Sequence, residues 1–436
     1  MKRELIEARM ISFQRLTIER LGQRGEGIAE GRDGPVFVPY ALPGDEIIAD
    51  VDGERGTLGE VTKASPQRIA PFCKHYSVCG GCAVQALAET PYRTWKRELV
   101  VSALRHARIE TDVAPLLDAH GEGRRRATFH ARILRDGLNR PSVVSGFMRA
   151  RAHEIVDIEE CPVLAPAMQV APAVARALAQ RLAELDKPLD IIVTSTIDGL
   201  DVDFRGVGKL QDRVRQKLVA FANEHALARL SNHGDVLIER ETPRLQMGRA
   251  LLAPPPGMFL QATVAGEEAL AQLVLSAMGK SKNVADLFAG AGTFALRIAE
   301  RANVHAVEHE AAAMSALERA AHNATGLKTI TTETRDLFRR PLAIDDLKPF
   351  DCVVFDPPRS GAEAQARALA ESKVPVVIAV SCNVQTFSRD AKILIDGGYT
   401  MGVVTPVDQF RHSPHVEMVA AFTKKEKPAA KRRLLG

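Results

Sequence analysis

Cys382 stands between Ser381 and Asn383, directly after the apolar run Val376–Val380. A run of β-branched residues that stops at polar ones reads as a buried strand opening into a loop. A thiol there is presented at a sheet edge. Its pKa starts near about 8.5, so a few per cent is thiolate at neutral pH, and that fraction is strongly nucleophilic. A thiolate adds to an electron-poor carbon, and a carboxylate must later accept a proton so that the thiol can leave. Glu417 is the candidate for that base, and it begins a second apolar run to Phe422. Cys352, inside Cys352-Val353-Val354-Phe355, reads instead as a buried apolar side chain. His412 and His415 flank Glu417 and read as ordinary polar residues.

A second group of residues suits a nucleotide-like ligand. Asp286-Leu287-Phe288-Ala289-Gly290-Ala291-Gly292-Thr293 joins an expected strand to an expected helix. Glycines there let the backbone turn tightly and approach a ligand. Glu308 closes the next strand, and an acid about 20 residues past such a turn can accept from ribose hydroxyls. The third glycine of a dinucleotide fingerprint is absent, and a turn that only packs its helix is the bland reading. Asp356-Pro357-Pro358-Arg359 follows the next strand and holds an acid rigidly at the same edge. A third group is sulfur: Cys73, Cys79 and Cys82 fall within ten residues and point to a metal or cluster.

These residues need elements to carry them. Residues 9–64 read as short strands punctuated by Gly and Pro, a small β-barrel: Leu16–Ile18, Gly25–Ala29, Gly34–Val38, Glu46–Val51 and Leu58–Val61. Residues 90–108 read as a helix with Thr90 as N-cap and Pro91 in its first turn. Residues 124–160 read as a hairpin or meander turning at Asp136-Gly137, and 166–186 as a helix. Ala253-Pro254-Pro255-Pro256-Gly257 marks a domain boundary. Beyond it strands (284–288, 304–307, 352–355, 376–380) alternate with helices (294–301, 311–323), which specifies a doubly wound parallel α/β sheet. Met401–Val404 and Val416–Phe422 suit a terminal strand pair. Lys424–Arg433 reads as a basic, solvated tail.

The composition is that of a globular protein of two or three domains, with 46% hydrophobic and 26% charged residues. No run is apolar enough to span a membrane and Met1–Leu16 lacks a signal core, so a cytoplasmic location without a membrane partner is expected. Disulfides are not expected there. The net charge of +4 is mild, but Arg124, Arg125, Arg126, Arg132, Arg135, Arg140, Arg149 and Arg151 are concentrated in one stretch. Arg149 and Arg151 would share a strand face.

Taken together, the motifs resemble the RNA uridine-5 methyltransferase family, in its branch with a TRAM domain and an iron–sulfur cluster. The TRAM-like portion is Gly25-Glu26-Gly27-Ile28-Ala29 through Val36–Asp45. The cluster-like portion is Cys73-x5-Cys79-Gly80-Gly81-Cys82 with Cys161-Pro162, and the catalytic portion runs from Phe259-Leu260-Gln261 to His415-Val416-Glu417. The resemblance implies a class I Rossmann-like methyltransferase domain, an N-terminal OB-like barrel and an α+β central domain. The implied boundaries are 9–64 for the barrel, 65–89 with 110–253 for the central domain, 90–109 with 254–423 for the catalytic domain, and 424–436 for the tail. It implies S-adenosylmethionine as cofactor, lined by Gln261, Phe288, Gly290, Thr293, Glu308, Asp336 and Asp356. It implies Cys382 as nucleophile toward carbon 6 of a uracil and Glu417 as the base that removes the proton from carbon 5. It implies a [4Fe–4S] cluster on Cys73, Cys79, Cys82 and Cys161, with zinc as the bland alternative. The partner would be RNA, large-subunit ribosomal RNA rather than transfer RNA, bound by a monomer. Val384 stands where the family usually has proline, and Thr293 where it usually has asparagine. An exocyclic-amine methyltransferase or a non-catalytic RNA-binding protein are the competing readings.

Overall fold

The computed structural model describes residues 12–135, 141–150 and 152–424. The expected Asp136-Gly137 turn, Arg140, Arg151 and the tail beyond Lys424 lie outside the described residues. Contacts divide the chain into two compact units. One is the chain up to Leu99 with Phe147–Ile158 and Phe410–Pro414; the other is Val100–Gly146, Glu159–Gln409 and the chain from His415 onward.

In the first unit the string of short strands forms one six-stranded sheet. In order across the sheet the strands are Ser12–Thr17, Glu46–Asp52, Arg55–Lys63, Gly34–Val38, Gly27–Gly31 and Arg20–Leu21. The chain turns back on itself after the first strand, where Glu19 N donates to Ile28 O at 2.9 Å. Alternate residues fill a small core of Leu16, Ile18, Ala29, Val36, Val38, Ile47 and Ala49. Gly27 allows this packing, because a Cβ there would lie 2.8 Å from Ile18 Cγ2 and 2.7 Å from Ala41 O. The helix Glu89–His106 starts before Thr90, so Thr90 is not its cap; Tyr92 N already donates to Ala88 O at 3.0 Å.

In the second unit, Arg126–Arg135 pairs with residues 141–146 on one side and with Leu189–Thr196 on the other, forming the expected meander. The dominant element is a nine-stranded sheet. Its main strands are β1 (Asn283–Leu287), β2 (Asn303–Glu308), β3 (Ile330–Thr334), β4 (Cys352–Phe355), β5 (Val376–Ser381), β6 (Thr405–Asp408) and β7 (Glu417–Thr423). The order is β3-β2-β1-β4-β5-β7-β6, with β1 to β5 parallel and β7 antiparallel to both neighbours. Leu117–Asp118 adds a parallel edge strand to β6, and Thr400–Met401 pairs with β7. Residues of β4 are buried on both faces, as continuous apolar strands between two helical layers must be. The flanking helices include α1 (Val264–Ala277), α2 (Ala295–Ile298), α3 (Ala311–Asn323), α4 (Glu363–Glu371) and α5 (Val384–Asp396). Helix α2 is shorter than expected, because turns occupy 290–294 before it. Among the described residues no helix is long and apolar enough to cross a membrane.

Candidate active site

Parallel strands deliver their carboxyl ends to one edge, where open α/β sheets bind ligands. Phe288 to Thr293 leave the end of β1, Glu308 is the last residue of β2, Asp336 follows β3, Asp356 follows β4 and Cys382 follows β5. Glu417 arrives differently. Strand β7 runs the other way, so its first residue lies at the edge where β5 ends. The paired register ends at Ser381 and Met418, which leaves Cys382 and Glu417 as the adjoining residues at that edge.

The glycine turn is built as the chemistry requires. Phe288, Gly290 and Gly292 all take positive φ, at 60°, 55° and 93°. A Cβ on Gly292 would meet Leu317 Cδ1 of α3 at 2.4 Å, so this glycine serves helix packing. A Cβ on Gly290 would meet nothing within 4 Å, so this glycine faces open space, as a ligand-bearing position should. Its amide donates to Glu308 Oε2 at 3.1 Å, and the His309 and Glu310 amides hold Oε1 at 2.7 and 3.1 Å. Phe288 and Phe338 form an aromatic wall with ring centroids 5.4 Å apart; Phe338, exposed, escaped the sequence reading. Asp336 spends one oxygen on the amides of Phe338 and Arg339. Thr293 is half-buried, and its carbonyl accepts from Arg297 Nη1 at 2.9 Å.

Asp286 lies fully buried inside β1, and among the described residues neither carboxyl oxygen has a full hydrogen-bond partner, the Ala295 amide standing nearby. Burial, with repulsion from Asp356 and Glu308 and against the nearby Ala295 amide, pushes its pKa up to about 8. Burial alone pushes Asp356 up to about 7. Open space at Gly290, a held acid at Glu308 and orphaned buried oxygens on Asp286 fit a polar ligand such as S-adenosylmethionine.

Cys382 is half-buried, and its thiol is pushed up to about 11, mainly by burial, then by the negative charges of Glu417 and Asp356, against the cation of Arg359. The loop bearing it is tightly tied. Asn383 caps α5, its Oδ1 accepting from the amides of Gln385 at 2.9 Å and Thr386 at 3.4 Å. Its Nδ2 donates to Arg359 O at 3.0 Å, and Thr386 Oγ1 donates to the same carbonyl at 3.2 Å. The guanidinium of Arg359 lies 3.2 Å from the ring nitrogens of His415. Glu417 is buried and accepts from Gln409 Nε2 at 3.0 Å. Gln261 is buried nearby, and its Nε2 lies 3.4 Å from Asp356 Oδ2. Gln409 was not singled out by the sequence, because a lone glutamine after a short strand carries no signal.

The sulfur group is less complete. Cys73, Cys79 and Cys82 are half-buried in one loop, and the Gly81 amide lies 3.4 Å from Cys79 Sγ. Thiols are the right donors for iron–sulfur ligation. Among the described residues, however, no three His, Cys, Asp or Glu are gathered as a metal site. Cys161 belongs to the second unit. Among the clustered arginines, Arg125 is buried and paired with Glu267, so it is not available to a phosphate.

Residues 256–425 match the family model for tRNA (uracil-5-)-methyltransferases. An uncharacterized RNA methyltransferase of Brucella suis biovar 1 is 47% identical over 409 residues, covering 94% of this chain and 97% of the relative. The 23S rRNA (uracil(1939)-C(5))-methyltransferase of Halomonas elongata is 33% identical, covering 97% and 91%. The fold is shared with the crystal structure of the Pyrococcus abyssi tRNA (uracil-54, C5)-methyltransferase in complex with S-adenosyl-L-homocysteine, at a TM-score of 0.70 and 23% identity over 94% of this chain and all of that one. With nearly its whole length matched and its glycine turn, Asp-Pro-Pro-Arg loop and terminal carboxylate on one sheet edge, the chain belongs to the RNA uracil-5-methyltransferase family.

Proposed function

We propose that the protein methylates carbon 5 of a uridine in large-subunit ribosomal RNA through a covalent Cys382–uracil adduct that Glu417 resolves. Family membership makes it an S-adenosylmethionine-dependent enzyme acting on RNA uracil, which sets aside the amine-methylating and non-catalytic readings. The single observation that supports the rest is the antiparallel register of β5 and β7, with Glu417 and Cys382 at one edge. The ribosomal assignment is supported by the Halomonas elongata relative, which matches over nearly all of both chains.

The thiolate of Cys382 adds to carbon 6, and the electron pair of the 5,6 double bond gathers at carbon 5. S-adenosylmethionine, when bound, supplies the methyl group to that carbon. Gln261, Phe288, Gly290, Thr293, Glu308, Asp336 and Asp356 would hold it. The Glu417 carboxylate then takes the proton from carbon 5. The released pair re-forms the double bond, the sulfur–carbon bond breaks, and Cys382 leaves as a thiolate. The target uridine must leave its stack to reach this edge.

The two roles fail differently when removed. Glu417→Gln keeps shape and thiol but loses the proton acceptor, so it should methylate once and stall with RNA attached. On a denaturing gel that is a slow band which nuclease removes and which the Cys382→Ala, Glu417→Gln double variant lacks. Normal turnover without adduct in Glu417→Gln would remove Glu417 from this role. In the cell, deleting the gene should erase one 5-methyluridine from large-subunit ribosomal RNA. A loss confined to transfer RNA would move the substrate.

A [4Fe–4S] cluster on Cys73, Cys79, Cys82 and Cys161 is proposed from the cysteine pattern and resemblance, outside the reaction path. Anaerobically purified protein should then carry about four iron and four sulfide per chain, as that cluster type requires. Stoichiometric zinc without sulfide would replace it.

A further inference from the structure

We propose that Gln409 is a positioning residue that keeps the Glu417 carboxylate ionised and aimed for proton removal; the proposal rests on Glu417 being the base. Gln409 has no exposed surface, and α1 makes room for it: a Cβ on Gly266 would lie 2.7 Å from Gln409 Cβ. Every polar atom of its amide is spoken for. The Ala262 backbone N–H donates to Oε1 at 2.8 Å, while Nε2 donates to Gln261 Oε1 at 2.6 Å and to Glu417 Oε1 at 3.0 Å.

A backbone amide can only donate, so Ala262 fixes which end of Gln409 carries oxygen. The NH₂ end must then face Glu417, and it also fixes Gln261 with Nε2 toward Asp356. A neutral donor stabilises the carboxylate form of Glu417 without introducing a cation that would have to be desolvated. Charged and titratable groups around Glu417 include Cys382, Asp356 and Arg359 at the sheet edge, His415 two residues before it and Asp408 on β6. Helices α1 and α5, which pack on its strand, carry Glu267, Glu268, Arg389, Asp390, Lys392 and Asp396. Behind the two glutamines lies Glu267, ion-paired with Arg125 and Arg297. Arg125 and Arg297 are thus engaged by Glu267 and Arg359 sits beside His415, while Gln409 donates to the Glu417 Oε1 atom.

Two substitutions separate this role from packing. Gln409→Met keeps the length and loses every hydrogen bond. Gln409→Glu keeps the acceptor for Ala262 and sets a second carboxylate beside Glu417, so that two acids compete for one proton and the shared pKa rises. Full-length protein is incubated with labelled S-adenosylmethionine and RNA from a gene-deletion strain, then quenched in denaturant from about pH 5 to about pH 9. The ratio of covalent adduct to free methylated RNA should rise about tenfold in Gln409→Met near neutral pH. The pH midpoint for adduct release should move up by about one unit in Gln409→Met and further in Gln409→Glu. Unmoved midpoints in both variants, with adduct still trapped by Glu417→Gln, overturn this inference and leave the base in place. Absence of adduct in Glu417→Gln overturns the base itself.

Discussion

The thiol proposed as nucleophile is set against its own ionisation. Burial and two neighbouring carboxylates hold Cys382 near a pKa of about 11, with Arg359 opposing them. At slightly alkaline pH such a thiol is alkylated about a hundredfold more slowly than an ordinary one, since reaction follows the thiolate fraction. Iodoacetamide labelling of full-length protein, read by peptide mass, should show Cys382 lagging and its rate climbing with pH toward that pKa. Glu417→Gln removes a negative charge and should speed labelling; Arg359→Met removes the cation and should slow it. Labelling as fast as a free thiol would contradict the electrostatics. Cys382, Asp356 and Glu308 were legible in the sequence because each ends an apolar run, and strand ends are where such sheets expose chemistry. Gln409 was not, because its meaning lies in contacts with Ala262, Gln261 and Glu417, which sequence spacing does not reveal.

What holds these residues in place is the junction between the β4 loop and the start of α5. Asn383 and Thr386 both grip Arg359 O, Arg389 Nη2 donates to Ser360 O at 3.2 Å, and Asp390 accepts from the Ala362 amide at 2.7 Å. The start of α5 thereby anchors the residue next to Cys382, the proposed nucleophile, and clamps the loop that follows Asp356. Asn383→Ala deletes a cap and a cross-loop bond together. It should cost about 1–2 kcal/mol in thermal or denaturant unfolding and lower turnover as well. Val384, the family departure noted in the sequence, is the first residue of α5. Proline is well tolerated there, because the N–H it lacks has no intrahelical partner. Val384→Pro should therefore change stability by less than about 1 kcal/mol and leave adduct formation intact. A large loss would mean that the valine side chain packs a position the family fills differently. The alternating strands and helices were legible from periodicity, α2 included, but its length was not: turns spend the residues after Gly290, and the helix expected over 294–301 is confined to Ala295–Ile298.

Over the whole molecule, cationic side chains divide into those that build the protein and those that can meet a polyanion, a distinction charge counting cannot make. Arg125 donates to Glu267 and, through Nε, to Gln261 O at 3.2 Å, while Arg297 grips the other oxygen of Glu267 at 2.9 Å. This buried triad underpins the segment carrying Gln261. Arg132, in the same stretch of sequence, is exposed on its strand, and exposed Arg149 pairs with Glu154 at 2.8 Å. In the first unit, Arg20, Arg24 and Arg55 line a groove of about 1030 Å³ together with Phe37 and the acids Glu26, Asp52 and Glu54. Phosphate contacts release counterions, so each lost contact flattens the dependence of log affinity on log salt by about one unit. Arg132→Ser should lower that slope by about one and leave unfolding nearly unchanged. Arg125→Met should do the reverse: breaking a buried pair strands Glu267, costing about 3–5 kcal/mol, while the slope of the folded fraction stays the same. Filter binding of ribosomal RNA over a salt series, beside thermal unfolding of each variant, separates the two. If Arg132→Ser leaves the slope untouched, RNA does not track along this strand, and the groove lined by Arg20, Arg24 and Arg55 becomes the surface to substitute.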